Sequence, residues 1–298
     1  MTNTRCGMIA LVGAPNAGKS TLLNKLIGTK VSIVTHKPQT TRSRVRGLAI
    51  VEDTQLIFID TPGIFKATDK MDRAMVAAAW DAALDADDII FIVDAQRGVN
   101  GRVTEIVEKL KSLNKKAVLV LNKIDAIRRE ELLTLTDTLF ATGIITDVFM
   151  ISAQTGEGVE DFKNFVAGRA PESPWLFPED QLTDVTERFL AAEITREKLF
   201  KRVHKEIPYD LMVVTDSWEH FRNGSVKINQ TIYLERESQR KIILGAQGAQ
   251  IKAIGEAARK DIAVLIDAPV HLFLHVKIKK GWREQQSSYQ ELGLDFKK

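Results

Sequence analysis

The chain has 298 residues, 44% hydrophobic and 27% charged, a balance that suits a soluble globular protein of about two domains. A single cysteine, Cys6, excludes a disulfide framework or a cysteine-built metal cluster and fits a reducing compartment. No apolar run approaches a membrane span and Met1–Arg5 has no signal-peptide core, so cytoplasmic residence is expected. The net charge of +3 is uneven. Residues 240–283 hold nine Lys/Arg against three acids, a local +6 on a body of −3, which points to a polyanionic partner.

In chain order, the apolar run Met8–Val12 predicts a strand feeding Gly13-Ala14-Pro15-Asn16-Ala17-Gly18-Lys19-Ser20, with Thr21–Leu26 opening a helix behind it. GxxxxGKS between strand and helix is a phosphate cradle, because a glycine-permissive turn at a helix N-terminus points backbone N–H groups inward. Lys19 is placed to reach the outer phosphates and the Ser20 hydroxyl to bind Mg²⁺. Short apolar runs then recur at 55–59, 89–93, 117–121 and 147–151, with helical patterns over 102–113 and 130–140. Strands apolar on both faces and alternating with helices predict an α/β domain, a mostly parallel sheet with helices on both faces.

Asp60-Thr61-Pro62-Gly63 closes the run at 55–59. Its carboxylate can hold a water on Mg²⁺, and the Gly63 N–H can reach a γ-phosphate unobstructed. Asn122-Lys123-Ile124-Asp125 follows the run at 117–121 and selects the base. Guanine offers two adjacent donors to the acceptor-only Asp125 carboxylate, whereas adenine presents an acceptor and lacks the 2-amino group. Lys123 is expected along the base plane, Asn122 as a loop brace, and Ser152-Ala153 as a source of a backbone N–H for guanine O6.

GAPNAGKS, DTPG, NKID and SAQ in this order resemble the translation-factor-like class of small GTPases. The resemblance makes Lys37-Pro38-Gln39-Thr40-Thr41-Arg42 the first switch loop, with Thr41 favoured over Thr40 as Mg²⁺ ligand. Where Ras-like enzymes carry a water-orienting glutamine this chain has Ile64, which implies slow intrinsic hydrolysis. Asn16 implies a K⁺ ion between the phosphates, as in relatives with this P-loop asparagine.

Beyond residue 170 the sequence changes character. Residues 171–182 carry three prolines and read as a stiff linker between a GTPase domain, 1–170, and a second domain, 183–298. The latter reads as a helix (185–204), strands (209–215, 225–235), a short apolar segment, Gly245-Ala246-Gln247-Gly248, a helix (249–260) and a strand (271–278). GXXG at a helix N-terminus can clamp the backbone of about four single-stranded nucleotides. With Lys241 and Lys252 beside the loop and Lys277, Lys279 and Trp282 beyond it, these residues are the candidate RNA contacts. The order of elements resembles an α+β type II KH domain.

A GTPase joined by a proline-rich linker to such a module resembles the bacterial Era family. So do Ile251-Lys252-Ala253-Ile254-Gly255, Glu256–Asp261 and Ala268–Leu272. The resemblance implies a monomeric protein that binds GTP/GDP with Mg²⁺. It further implies a grip on 16S rRNA near its 3′ end, a part in 30S subunit assembly and peripheral inner-membrane contact. Two other readings are a P-loop nucleotide kinase and a GTPase whose basic end docks on anionic membrane or protein. Asp125 disfavours the first and GXXG the second.

Overall fold

A computed structural model describes residues 4–37, 39–203 and 209–294. The chain divides into two compact units: Met1–Ser32 with Pro38–Asp184 and Gly293–Lys298, and Ile33–Lys37 with Val185–Leu292.

The first unit follows the order β1 (Arg5–Gly13), α1 (Lys19–Ile27), β2 (Val45–Val51), β3 (Thr54–Asp60), α2 (Lys70–Asp85), β4 (Asp88–Asp94), α3 (Gly101–Ser112), β5 (Ala117–Asn122), α4 (Arg129–Phe140), β6 (Ile145–Ile151) and α5 (Val159–Arg169). Its strands form one sheet, β2-β3-β1-β4-β5-β6. All neighbours are parallel except the edge pair β2–β3. Alternate residues of the central strands (Val12, Phe91, Val93, Leu119, Leu121) pack with Ala79 and Ala83 of α2, Ile106 and Leu110 of α3, and Leu132 of α4. Helices α1 and α5 touch each other and β3. The predicted α/β architecture is present. Strand β2 escaped the sequence reading because its run VRGLAIV is interrupted by Arg46 and Gly47, and a Cβ on Gly47 would sit 2.7 Å from Leu23.

Residues 171–182, read from sequence as a linker, run against this unit. The buried Gln55 side chain accepts from the Leu176 and Phe177 N–H groups at 2.9 and 3.1 Å and donates to Phe177 O at 2.8 Å. Trp175 Nε1 donates to Asp53 O at 3.1 Å.

The second unit contains α6 (Glu187–Arg202), β7 (Leu211–His220), β8 (Val226–Leu234), α7 (Glu237–Leu244), α8 (Ala249–Leu265), β9 (Val270–Ile278) and α9 (Gln286–Glu291). The sheet is β7-β8-β9, antiparallel then parallel. Leu199 and Phe200 of α6, Ile243 of α7 and Ile254 of α8 bury one face of it against Ile232 and Leu234. The helix–strand–strand–helix–helix–strand order matches the type II KH resemblance; the short apolar segment before Gly245 is the end of helix α7, and α9 is an addition. His204, at the end of the predicted first helix, and Pro38 of the predicted switch loop lie outside the described residues. Within the second unit the Val34 N–H donates to Glu197 Oε1 at 3.1 Å, and Lys37 Nζ donates to the Phe200 and Val203 carbonyls at the end of α6.

Gln55→Leu keeps the side-chain volume but leaves the Leu176 and Phe177 N–H groups and the Phe177 carbonyl without that partner. Unfolding free energy in urea should fall by about 1–3 kcal/mol, with faster proteolysis near residue 176. An unchanged midpoint and cleavage rate would refute the role given to Gln55.

Candidate nucleotide site and nucleic-acid interface

The ends of the parallel strands converge on one loop cluster, as they do at the ligand crevice of open α/β sheets. The loop after β1 needs both of its outer glycines. A Cβ on Gly13 would lie 2.4 Å from Ile92 O, and one on Gly18, whose φ is 101°, would lie 2.0 Å from Asn122 Nδ2. Asn16 also adopts a left-handed backbone, φ 65°. Ala17 supplies the carbonyl that anchors the loop, and Thr21 lies in the first turn of α1 behind Lys19 and Ser20. The Lys19 side chain is folded into the loop, Nζ donating to Gly13 O and Ala14 O at 3.1 Å each. Lys19 is only 5% exposed, and burial lowers its pKa from 10.5 to about 8, opposed by the attraction of Asp60. Phosphate anions in the cradle would restore the full charge.

Opposite Lys19, three hydroxyls meet one carboxylate oxygen. Ser20 Oγ donates to Asp60 Oδ2 at 2.6 Å, Ser32 Oγ at 2.9 Å and Thr41 Oγ1 at 3.3 Å, with Ser20 Oγ and Thr41 Oγ1 2.9 Å apart. Asp60 Oδ1 is buried and has no hydrogen-bond partner among the described residues. Burial pushes the Asp60 carboxyl up, while Lys19 and the three hydroxyls pull it down. A buried carboxylate with an unsatisfied oxygen among hydroxyls is a hard-oxygen donor set, and it fits Mg²⁺. Thr41, rather than Thr40, is the threonine at this point. Ser32 is an addition that the sequence did not signal, since a serine in a loop carries no spacing to mark it.

Gly63 lies against the P-loop, where a Cβ would come within 2.8 Å of Pro15 backbone atoms. The next residue, Ile64, is buried among Val12, Ala79 and Phe91, and its N–H donates to Gly13 O at 3.1 Å. An aliphatic side chain packed in the core cannot orient a water.

Asn122 ties the base side to the phosphate side. Its Nδ2 donates to Ala17 O at 2.8 Å, and its Oδ1 accepts from Lys123 N and Ala153 N at 2.9 Å each. The Ala153 N–H, expected to face a guanine, therefore serves the brace here. Ser152 is buried, its Oγ accepting from Thr155 N at 3.2 Å. Lys123 has a left-handed backbone and its Nζ reaches Asp94 Oδ2 at 2.6 Å. Asp94 was missed from sequence because an aspartate ending a strand has many structural uses. Asp125 is exposed and makes no hydrogen bond to the described residues, which leaves its carboxylate open to a ligand.

In the second unit, Gly245 (φ 71°), Gln247 (φ 50°) and Gly248 (φ 78°) turn the chain sharply between α7 and α8. Ala246 and Gln247 are exposed at the tip, with Lys241 and Lys252 exposed on the flanking helices. Lys277 is exposed on β9. Lys279 is half-buried, its ammonium 5.4 Å from the Tyr233 ring centre and 3.3 Å from Ser287 Oγ. Trp282 corrects the sequence reading. It is fully buried, with Nε1 donating to Asp210 O at 3.3 Å, so it packs the module and presents no face to a base.

These two units define a class: a P-loop GTPase carrying a KH nucleic-acid-binding module. The family model described as "50S ribosome-binding GTPase" matches residues 8–123, and the KH domain model matches 206–283. GTPase Era of Sinorhizobium medicae is 53% identical over 295 residues, spanning 99% of this chain and 95% of that protein. GTPase Era of Caulobacter vibrioides is 49% identical, spanning 99% and 98%. Among solved structures, Era in complex with MgGDPNP and nucleotides 1506–1542 of 16S ribosomal RNA is 37% identical. It superposes with a TM-score of 0.93 over 97% of this chain and 99% of that one. A point variant of Aquifex aeolicus Era bound to GDP·AlF4⁻ is 37% identical with a TM-score of 0.92, spanning 97% and 99%.

The chain belongs to the Era family of GTPases. It is a GTP-hydrolysing enzyme whose ligands are GTP, GDP and Mg²⁺.

Gly18→Ala should weaken GDP binding at least tenfold, because the new Cβ displaces the Asn122 amide as well as straining the backbone by about 1–2 kcal/mol. Gly28→Ala carries the same backbone strain (φ 79°) with nothing within 4 Å of its Cβ, so it isolates that cost. Equal GDP affinities for the two variants by calorimetry would show that the Asn122 contact is immaterial.

Proposed function

We propose that this protein is a GTP-gated RNA-binding factor of small-subunit assembly, gripping single-stranded RNA near the 3′ end of 16S rRNA through the Gly245–Gly248 loop. One observation carries the reading: the loop, flanked by Lys241 and Lys252, has the open left-handed geometry that lets phosphates approach backbone and helix end closely. Its presence on one chain with a guanine-nucleotide site, in the family of a protein crystallised with that RNA, supports the target. A peripheral inner-membrane contact belongs to the same reading; among the described residues no helix is long and apolar enough to cross a membrane.

In the nucleotide site, Asp125 pairs with the guanine N1–H and 2-amino donors, and Lys123, held by Asp94, lays its stem along the base. Gly13, Asn16, Ala17, Gly18, Lys19 and Thr21 surround the phosphates, and the Gly63 N–H senses the γ-phosphate. Ser152 and Ala153 close the base side. Ser20, Thr41 and Asp60 would hold Mg²⁺, which would neutralise charge on the phosphates. Ile64 leaves the attacking water without a side-chain guide, so intrinsic hydrolysis is slow and the bound nucleotide acts as a timer. Asn16 supports a K⁺ ion beside the phosphates.

Crosslinking the protein to cellular RNA in its GTP-analogue state, then sequencing the recovered RNA, should enrich the 3′ end of small-subunit rRNA. Recovery without that enrichment overturns the target. For the cation, single-turnover hydrolysis should be at least tenfold faster in KCl than in NaCl, within the roughly 10²–10³ that one preorganised stabilising group contributes to the rate. Equal rates remove Asn16 from the reaction.

A further inference from the structure

The sheet of the second unit is covered by helices on one face. On its other face the row His271, Phe273, His275 and Lys277 of β9 is exposed, while the alternate row, Leu272, Leu274 and Val276, turns toward the helices. A Cβ on Gly255 of α8 would touch Leu274 at 3.5 Å, which fixes that orientation. Phe273 is 49% exposed, unusual for a phenylalanine in mid-strand. The Phe221 ring, also exposed, packs edge-on to His271 with centroids 6.2 Å apart. Across the sheet, Phe273 pairs in register with Asn229, His275 with Thr231 and His271 with Lys227.

We propose that this row is a second, stacking contact for single-stranded RNA, continuing the strand held by the Gly245–Gly248 loop. It rests on the RNA reading above and extends it. Side chains two apart on a strand stand about 6.6 Å from one another, comparable to the step between bases of an extended, unstacked strand. A row of aromatic and imidazole rings on an open sheet face, ended by a lysine, is how sheet modules bind successive bases without sequence preference. The charge on this face is mixed, and its basic end lies at the exposed Lys277. Glu219 is paired with Lys227 at 3.5 Å, whereas Asp216, which accepts from the Thr231 hydroxyl at 2.6 Å, and Glu291 keep their charges beside Tyr233, so the rings rather than net charge carry the contact. Helix α7, which leads into the loop, packs against β9, so the two contacts share one end of the module.

The test uses the full chain with a non-hydrolysable GTP analogue and two RNAs from the recovered target. One is about six nucleotides long and fills the loop cleft alone; the other is about fourteen. Phe273→Ala with His275→Ala should weaken the long RNA by about tenfold or more, the scale of one lost base stack, and leave the short RNA and the GTPase rate unchanged. Phe273→Tyr, which keeps a ring, should restore long-RNA binding in the His275 wild-type background. Gly248→Asp, which sets a carboxylate where phosphates approach, should weaken both RNAs. Equal long-RNA affinity for wild type and double variant overturns the platform, as does equal loss for both lengths. If RNA binding survives and a protein partner is lost instead, the face belongs to that partner and the proposal fails. Failure of the wild type to bind either RNA refutes the loop reading itself.

Discussion

The side chain of Asn122 is the constraint on which the nucleotide site depends. Three loops from three strands meet there. One amide donates to the P-loop at Ala17 O and accepts from the base loop at Lys123 N and from the third loop at Ala153 N. Because the amide is buried, each of these bonds forms where water does not compete, and losing one leaves an orphaned backbone group. The same contact makes Gly18 a glycine, since any Cβ would occupy the space of the amide. The spacing between phosphate cradle and base loop is thus set by one residue.

Around that frame the charges are held in check rather than neutralised. Lys19 and Asp60 are both buried, and burial shifts each toward its uncharged form. Three hydroxyls occupy one oxygen of Asp60, while the other has no hydrogen-bond partner among the described residues. Such a site gains from bound phosphate and Mg²⁺ because they restore the charge states that burial disfavours. Ile64 works in the opposite sense. Its place in the core anchors the segment after Gly63 to the P-loop through the Gly13 carbonyl, yet provides nothing to guide water.

In the second unit the chemistry is distributed between a loop and a sheet face. The Gly245–Gly248 turn has left-handed backbone at three of its four residues and exposes Ala246 and Gln247 at its tip. Residues beyond the turn divide by burial. Trp282 and Tyr289 fill the interior, while Phe273 and its neighbours on β9 stay outside.

The sequence by itself determined the nucleotide chemistry and the strands that carry its loops, for a physical reason. P-loop, DTPG and NKID are local motifs in which a few consecutive residues at a strand end build their own geometry, and hydrophobic periodicity places them there. Strand β2 was illegible because its interruption by Arg46 and Gly47 hides the period, and Gly47 makes sense only once Leu23 and Ile27 pack over it. Ser32 and Asp94 were illegible because each acts through a residue remote in sequence, Asp60 and Lys123. Thr40 and Thr41 were equivalent as letters; only the folded loop brings the Thr41 hydroxyl to Ser20 and Asp60. Trp282 and Phe273 show the limit most plainly. Both are aromatic residues near basic side chains, and which of them faces solvent depends on the neighbours that close over one and leave the other bare.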